Sequence, residues 1–159
     1  MKIMRPLLLA AALAATTACG GAPDENPLIG HPARKVATHG GAPHGSLLSR
    51  VRPAPDYVID YIRKDNERNG YPERPTAYTP SAAEVEIARA AIAPIPEAVV
   101  RATKFLVGVY LVSDLGTTGY TETIDGAPGD EAFSMIILDR VVFERTANNW
   151  ATWKESSWF

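Results

Sequence analysis

The residues 114–119, Asp-Leu-Gly-Thr-Thr-Gly, are the stretch of this chain that most invites a chemical reading. Glycines let a backbone approach a phosphate, and threonine hydroxyls donate to it. The acids Asp114, Glu122, Asp125, Asp130 and Glu131 gather around the same region. Paired carboxylates could hold calcium or serve as acid and base. The three histidines, His31, His39 and His44, lie far upstream and raise the idea of a metal-binding tract, because neutral imidazole is a common ligand. Each idea meets a plainer one. The histidines are spaced by eight and five residues, which fits no helical face, so a solvated linker is expected. The acids follow no calcium-loop spacing, and a charged surface is expected. The glycines of 114–119 suit a plain hairpin turn. No histidine or cysteine occurs in 56–159, which leaves a nucleophilic triad without an imidazole base. The sequence predicts no catalytic residue, no metal and no cofactor.

The segment 114–119 resembles the strand–loop–strand phosphate loop of the sugar kinase, actin and heat-shock chaperone ATPase superfamily. That resemblance covers five residues, and the superfamily needs two large lobes and a second phosphate loop, more than this chain can supply.

Cys19 is the only cysteine, so no intramolecular disulfide and no Cys-rich zinc site can form. Its setting is informative. Lys2 and Arg5 are followed by nine apolar residues at 7–15, then by the small Thr16, Thr17 and Ala18. A basic start, a short apolar run and small residues before a cut describe a secretory signal; a membrane span needs about 20 apolar residues. Ala18-Cys19 resembles the lipobox of bacterial lipoproteins, although Thr16 stands where that family usually has leucine. The resemblance implies cleavage after residue 18, acylation of Cys19 (palmitate among the acyl groups), export, and anchoring of the chain to the cell envelope. Gly20 in place of aspartate resembles the sorting pattern for the periplasmic face of the outer membrane in a Gram-negative host. The physics agrees: one acyl chain binds a membrane marginally, and two or more anchor it stably.

The chain has 159 residues and a net charge of −2. That charge argues against a basic nucleic-acid-binding face. Behind the 1–18 signal, residues 19–55 hold many Gly, Pro, Ala and His and little apolar periodicity, so a lipidated cysteine and a flexible, disordered tether are expected there. A domain is expected over 56–159. Tyr57, Val58, Tyr61 and Ile62 share a helical stripe, with Asp56 as cap and Gly70 as stop. Arg63, Lys64, Asp65, Glu67 and Arg68 form a solvated outer face. Pro72, Pro75 and Pro80 punctuate a connection. Ser81 and Glu84 fit a capping box that opens a second helix with Val85, Ala88, Ala91 and Ile92 as its stripe. A third short helix is predicted over 97–104, with Pro96 at its first position. Residues 105–112 form an unbroken apolar run, predicted as a central strand covered on both faces. Residues 120–124 alternate and suit an antiparallel neighbour of that strand; 133–138 form another apolar strand, which 141–143 extend or follow. Thr146 or Asn148 could cap a short last helix. The predicted class is α+β: signal and tether, two or three helices, a small mostly antiparallel sheet, and a short C-terminal helix.

Trp150, Trp153 and Trp158 all fall in the last ten residues, next to Phe159. Such a density of large apolar groups needs burial. It is met by docking the segment on the sheet, by a partner or membrane-interface contact, or by chain that continues the fold. Residues 95–159 resemble the front half of zincin-like bacterial lipoproteins, through the Ile-Pro-Glu-Ala-Val-Val helix start at 95–100, the strand at 105–112, Leu-Gly-Thr-Thr-Gly-Tyr-Thr-Glu at 115–122, Ile-Ile-Leu-Asp-Arg at 136–140 and Ala-Asn-Asn-Trp-Ala-Thr-Trp-Lys-Glu at 147–155. In that family a later His-Glu-x-x-His helix holds zinc. This chain has none, so the resemblance implies a truncated or degenerate relative without activity. The leading expectation is a lipid-anchored envelope protein with a non-catalytic binding or scaffolding domain. Its expected partners are the membrane, through acylated Cys19, and an unidentified protein that would contact Trp150, Trp153, Trp158 or Phe159. The sequence leaves the oligomeric state open.

Overall fold

The computed structural model describes residues 28–41, 45–125 and 132–144. The signal segment, Cys19, His44, Asp130, Glu131, the expected last helix, Trp150, Trp153, Trp158 and Phe159 lie outside the described residues. The class is α+β: three helices with a five-stranded mixed sheet.

Helix α1 (Asp56–Asn69) starts where the Pro55 carbonyl accepts from the amides of Val58 and Ile59, at 2.9 and 3.1 Å. Pro55 is therefore the cap, and Asp56 is the first helical residue. There its carboxylate sits favourably against the positive end of the helix dipole. The expected stripe is buried through Val58, Tyr61 and Ile62, joined by Ile59 and Asn66. Gly70 stops the helix in the left-handed conformation, φ 72°, which costs a residue without Cβ little. The proline-punctuated connection carries a two-residue strand, β2 (Thr76–Ala77).

Helix α2 (Ala82–Ile92) opens with the predicted capping box. Ser81 Oγ accepts from the Glu84 amide at 3.3 Å, and the Ser81 amide donates to the Glu84 carboxylate at 2.7 Å. The Tyr78 hydroxyl donates to the same carboxylate at 2.7 Å. The Ser81 amide, then the Tyr78 hydroxyl, hold the Glu84 carboxyl below its usual range, and accepting from Tyr78 raises that phenol in turn. Helix α3 (Glu97–Ala102) has Pro96 at its N-cap instead of at the predicted first helical position, and it tightens into a 3-10 turn at Thr103–Phe105.

Strand β3 (Leu106–Ser113) is the centre of the sheet, and its residues from Leu106 to Val112 are all buried, as the apolar run predicted. The mostly antiparallel arrangement is corrected. β1 (Val51–Pro53) and β5 (Phe133–Asp139) both flank β3 in parallel, and β4 (Gly119–Ile124) pairs with β5 instead of β3. The order is β1-β3-β5-β4, with β2 pairing antiparallel to β3. Residues 114–118 thus carry the chain from β3 past the place that β5 later takes, and the expected hairpin lies between β4 and β5. Both Ala54 and Tyr78 donate their amides to the Leu111 carbonyl, at 3.1 and 3.0 Å, which ties β1 and β2 to one edge of β3.

The pleat turns β3 toward two apolar layers, and a bulge at Gly108 sets which residues face each. An extra residue in β3 slips the register against β5 between Leu106 and Gly108, a β-bulge. Val107, Tyr110 and Val112 then join one buried cluster, and Leu106 and Val109 join the other. A Cβ on Gly108 would stand 2.5 Å from Tyr110 Cζ, so only glycine lets that ring lie across the bulge.

The tether expected over 19–55 is shortened by the structure, because residues 28–41 and 45–55 belong to the fold. Leu28, Ala33, Leu47 and Ala54 are core residues, and β1 lies in this stretch. Two 3-10 turns, Pro32–Arg34 and Val36–His39, lay the segment beside α1 and the end of β4. Arg34 Nη2 donates to the Asp125 carboxylate at 3.0 Å, and its Nε lies 2.9 Å from the second oxygen as an ion pair without hydrogen-bond alignment. Polar side chains hold irregular backbone in place here, and such a segment leaves no periodic signature.

Candidate functional site

The two described histidines are structural connectors. His31 is 7% exposed. Its Nδ1 accepts from the Ala33 amide at 3.2 Å, and its Nε2 donates to Asp60 at 3.0 Å. The Lys64 ammonium, then His31, hold the Asp60 carboxyl below its usual range. His39 Nε2 donates to the Ala33 carbonyl at 2.7 Å, so its Nδ1 is the acceptor for the Tyr110 hydroxyl at 2.6 Å. Arg52 Nη2 in turn donates to the Tyr110 oxygen at 3.2 Å. Burial, the largest cause, pulls the His39 pKa down; the hydrogen bond to the Ala33 carbonyl opposes it, and the Arg52 charge adds a smaller downward pull. None of the three described cavities is lined by His39, Arg52 or Tyr110. The network fastens the 28–41 segment to β3. Among the described residues no group of three His, Cys, Asp or Glu side chains could hold a metal ion.

The loop 114–118 is tied to the rest of the fold through the Leu115 amide and the Asp114 carboxylate. Asp139, 5% exposed at the end of β5, accepts from the Leu115 amide at 2.8 Å and from the Val141 amide at 3.0 Å. Asp114, at φ 62°, accepts from the Arg74 amide at 2.8 Å. A phosphate would have to compete for a donor already committed to a buried carboxylate, and would meet that negative charge. Beside this loop lies a polar cleft of about 560 Å³, lined by Asp65, Glu73 and Glu122 together with Tyr71 and Tyr120. Burial first, then the Glu122 charge, raise the Tyr61 hydroxyl; burial first, then Tyr61, raise Tyr120. No basic side chain lines the cleft among the described residues, so it holds carboxylates without a counter-charge or an obvious acid–base pair. Of the acids that the sequence singled out, Glu122 faces this cleft, Asp114 fixes the loop and Asp125 pairs with Arg34. The structure does not bring them into one site.

An apolar groove lies on the opposite face of the sheet. Val109, Leu111, Ile136 and Leu138 form the floor of a groove of about 430 Å³. Ala88, Ala91 and Ile92 of α2 form one wall, so the predicted stripe of that helix points at the sheet. Leu47 closes one side, and Val142 and Phe143, on the 3-10 turn Arg140–Phe143, contribute another. Thr103 is the one polar side chain in the lining among the described residues, and its hydroxyl donates to the Val100 carbonyl at 2.7 Å. The wall is braced by Arg50, whose guanidinium donates to the carbonyls of Thr103, Leu106 and Gly45. Among the described residues no ionisable side chain faces the groove, so its chemistry is to receive apolar surface. Sequence reasoning found the α2 stripe and the apolar strands but not the groove, because a stripe does not reveal how closely its helix approaches the sheet.

No family model matches the chain, and neither a curated protein nor a solved structure matches it.

Proposed function

We propose that this chain is a lipid-anchored protein of the bacterial cell envelope, and that its domain binds or scaffolds instead of transforming a substrate. The groove between α2 and the sheet is the binding seat in this reading. The observation that carries the binding half is the groove's lining: apolar side chains from both strand and helix, with no ionisable group among the described residues. The anchoring half rests on the setting of Cys19 after a basic start, an apolar run and Ala18. No helix among the described residues is long and apolar enough to cross a membrane, and the proposal assigns attachment to the acylated cysteine.

Cys19→Ser tests the anchor in the expressing bacterium. The parent chain is expected in the membrane fraction with a metabolic palmitate label. The variant is expected in the soluble fraction without the label. Retention of Cys19→Ser on membranes overturns the anchor.

A further inference from the structure

We infer that the groove between α2 and the sheet is the seat of this chain's own segment 145–159, with the indoles of Trp150 and Trp153 packed against its floor. The inference rests on the groove used in the proposed function, and it is independent of the lipid anchor.

Continuity is the first argument. Val142 and Phe143 line the groove, and the described structure reaches Glu144, so the segment leaves from the groove's own wall. Trp150 lies seven residues beyond Phe143. That span is about 10 Å if helical and about 23 Å if extended, long enough in either conformation to reach the floor. The second argument is complementarity. Segment 145–159 holds every tryptophan of the chain, and Trp150 and Trp153 are three apart, which places both rings on one side of a helical turn. The groove is apolar and carries no charge that would oppose a ring. The third argument is the incomplete cover. Helix α2 has no buried residue, and Ile87 on it is 50% exposed, although the strands beneath are those of a core. A concave apolar groove of about 430 Å³ has the size and lining to receive apolar side chains. In this arrangement a protein partner of the groove must displace the segment.

The chain itself supplies the probe. Because all tryptophans lie in the segment, indole emission and acrylamide quenching of the full chain carrying Cys19→Ser report on it alone. The expected result is blue-shifted emission and suppressed quenching, independent of concentration. Ala91→Glu sets a carboxylate in the groove wall at an exposed helical position; it is expected to move the emission to the red and at least double the quenching constant. Three results overturn the inference: indoles as freely quenched as in the urea-unfolded chain, shielded indoles that Ala91→Glu leaves unmoved, or a blue shift that disappears on dilution together with a dimer seen by sedimentation. If circular dichroism shows that Ala91→Glu is unfolded, the full chain with Trp150→Ser and Trp153→Ser decides. It is expected to take up the dye 8-anilinonaphthalene-1-sulfonate more strongly than its parent, and equal uptake overturns the inference. Dye uptake by the parent also separates the two readings. Exposed indoles with strong uptake reject the seated segment and keep a binding groove; exposed indoles without uptake reject both.

Discussion

The two faces of the sheet are made by the same strands and are finished differently. On one face α1 drives Val58 and Ile62 against Tyr110, Met135 and Ile137, all at 0–1% exposure. The 28–41 segment closes that layer with Leu28 and Ala33. On the other face α2 stands over equally apolar strand residues and buries none of its own. Both helices carry apolar stripes and proper ends, so local propensity does not distinguish them. What differs is the size of the residues they present. α1 offers Val, Ile and Tyr, which fill the space to the sheet. α2 offers Ala88 and Ala91, which leave a groove beside Ile92. A face packed to crystal-like density contributes stability, and a face left open is available for binding.

The largest effect should separate the faces directly. Ile62→Ala, at 1% exposure under α1, is expected to cost about 2–5 kcal/mol, because a cavity adds to the lost transfer energy. Ile87→Ala on α2 is expected to stay within about 0.5 kcal/mol. Urea unfolding midpoints read both, and equal losses would mean that α2 is packed as tightly as α1. A smaller effect probes how α2 is held in place. Ser81→Ala removes the acceptor of the capping box and is expected to cost about 1 kcal/mol. If the helix is set by its cap more than by its packing, the same variant raises amide exchange along Ala82–Ile92 while leaving α1 protected. The smallest effect is a slope with pH and belongs to the packed face. The His39 pKa is lowered in the folded chain, so between that value and the ordinary 6.5 the unfolded chain binds more protons. Stability is therefore complete above about pH 6.5 and falls as the pH drops below it. His39→Gln should flatten that part of the curve. Asp60, whose carboxyl is also lowered, acts in a separate window, below its ordinary 3.8. A parent chain whose melting midpoint is constant from pH 7.5 to 5 would remove the neutral His39 network from the packed face.

Much of the fold is local and was legible on that account. The stripe of α1, the Gly70 stop, the Ser81–Glu84 box and the apolar run of β3 are each written within a few neighbouring residues, and each stands in the structure. The order of the strands was not legible. The alternation of Tyr120 to Ile124 says that one face is wet, but not which strand accepts the pairing, and β5 takes the place beside β3 because both of its faces are apolar enough to be central. The polar anchors were hidden for a related reason. His31 and His39 read as residues of a solvated linker, and nothing near Asp139 in sequence marks it, until the partners Asp60, Tyr110 and Leu115 arrive from 24 to 71 positions away.

The sequence by itself determined the setting of Cys19, the limits of the principal helices and strands, and the confinement of every tryptophan to one end, because these depend on residue type and near-neighbour spacing alone. Only the tertiary structure decided that 28–41 and 45–55 belong to the fold, that β3 runs parallel to both neighbours, and that one face of the sheet opens as an apolar groove. Those outcomes depend on which distant surfaces meet and on how much volume their side chains fill, and neither quantity is carried by any short stretch of chain.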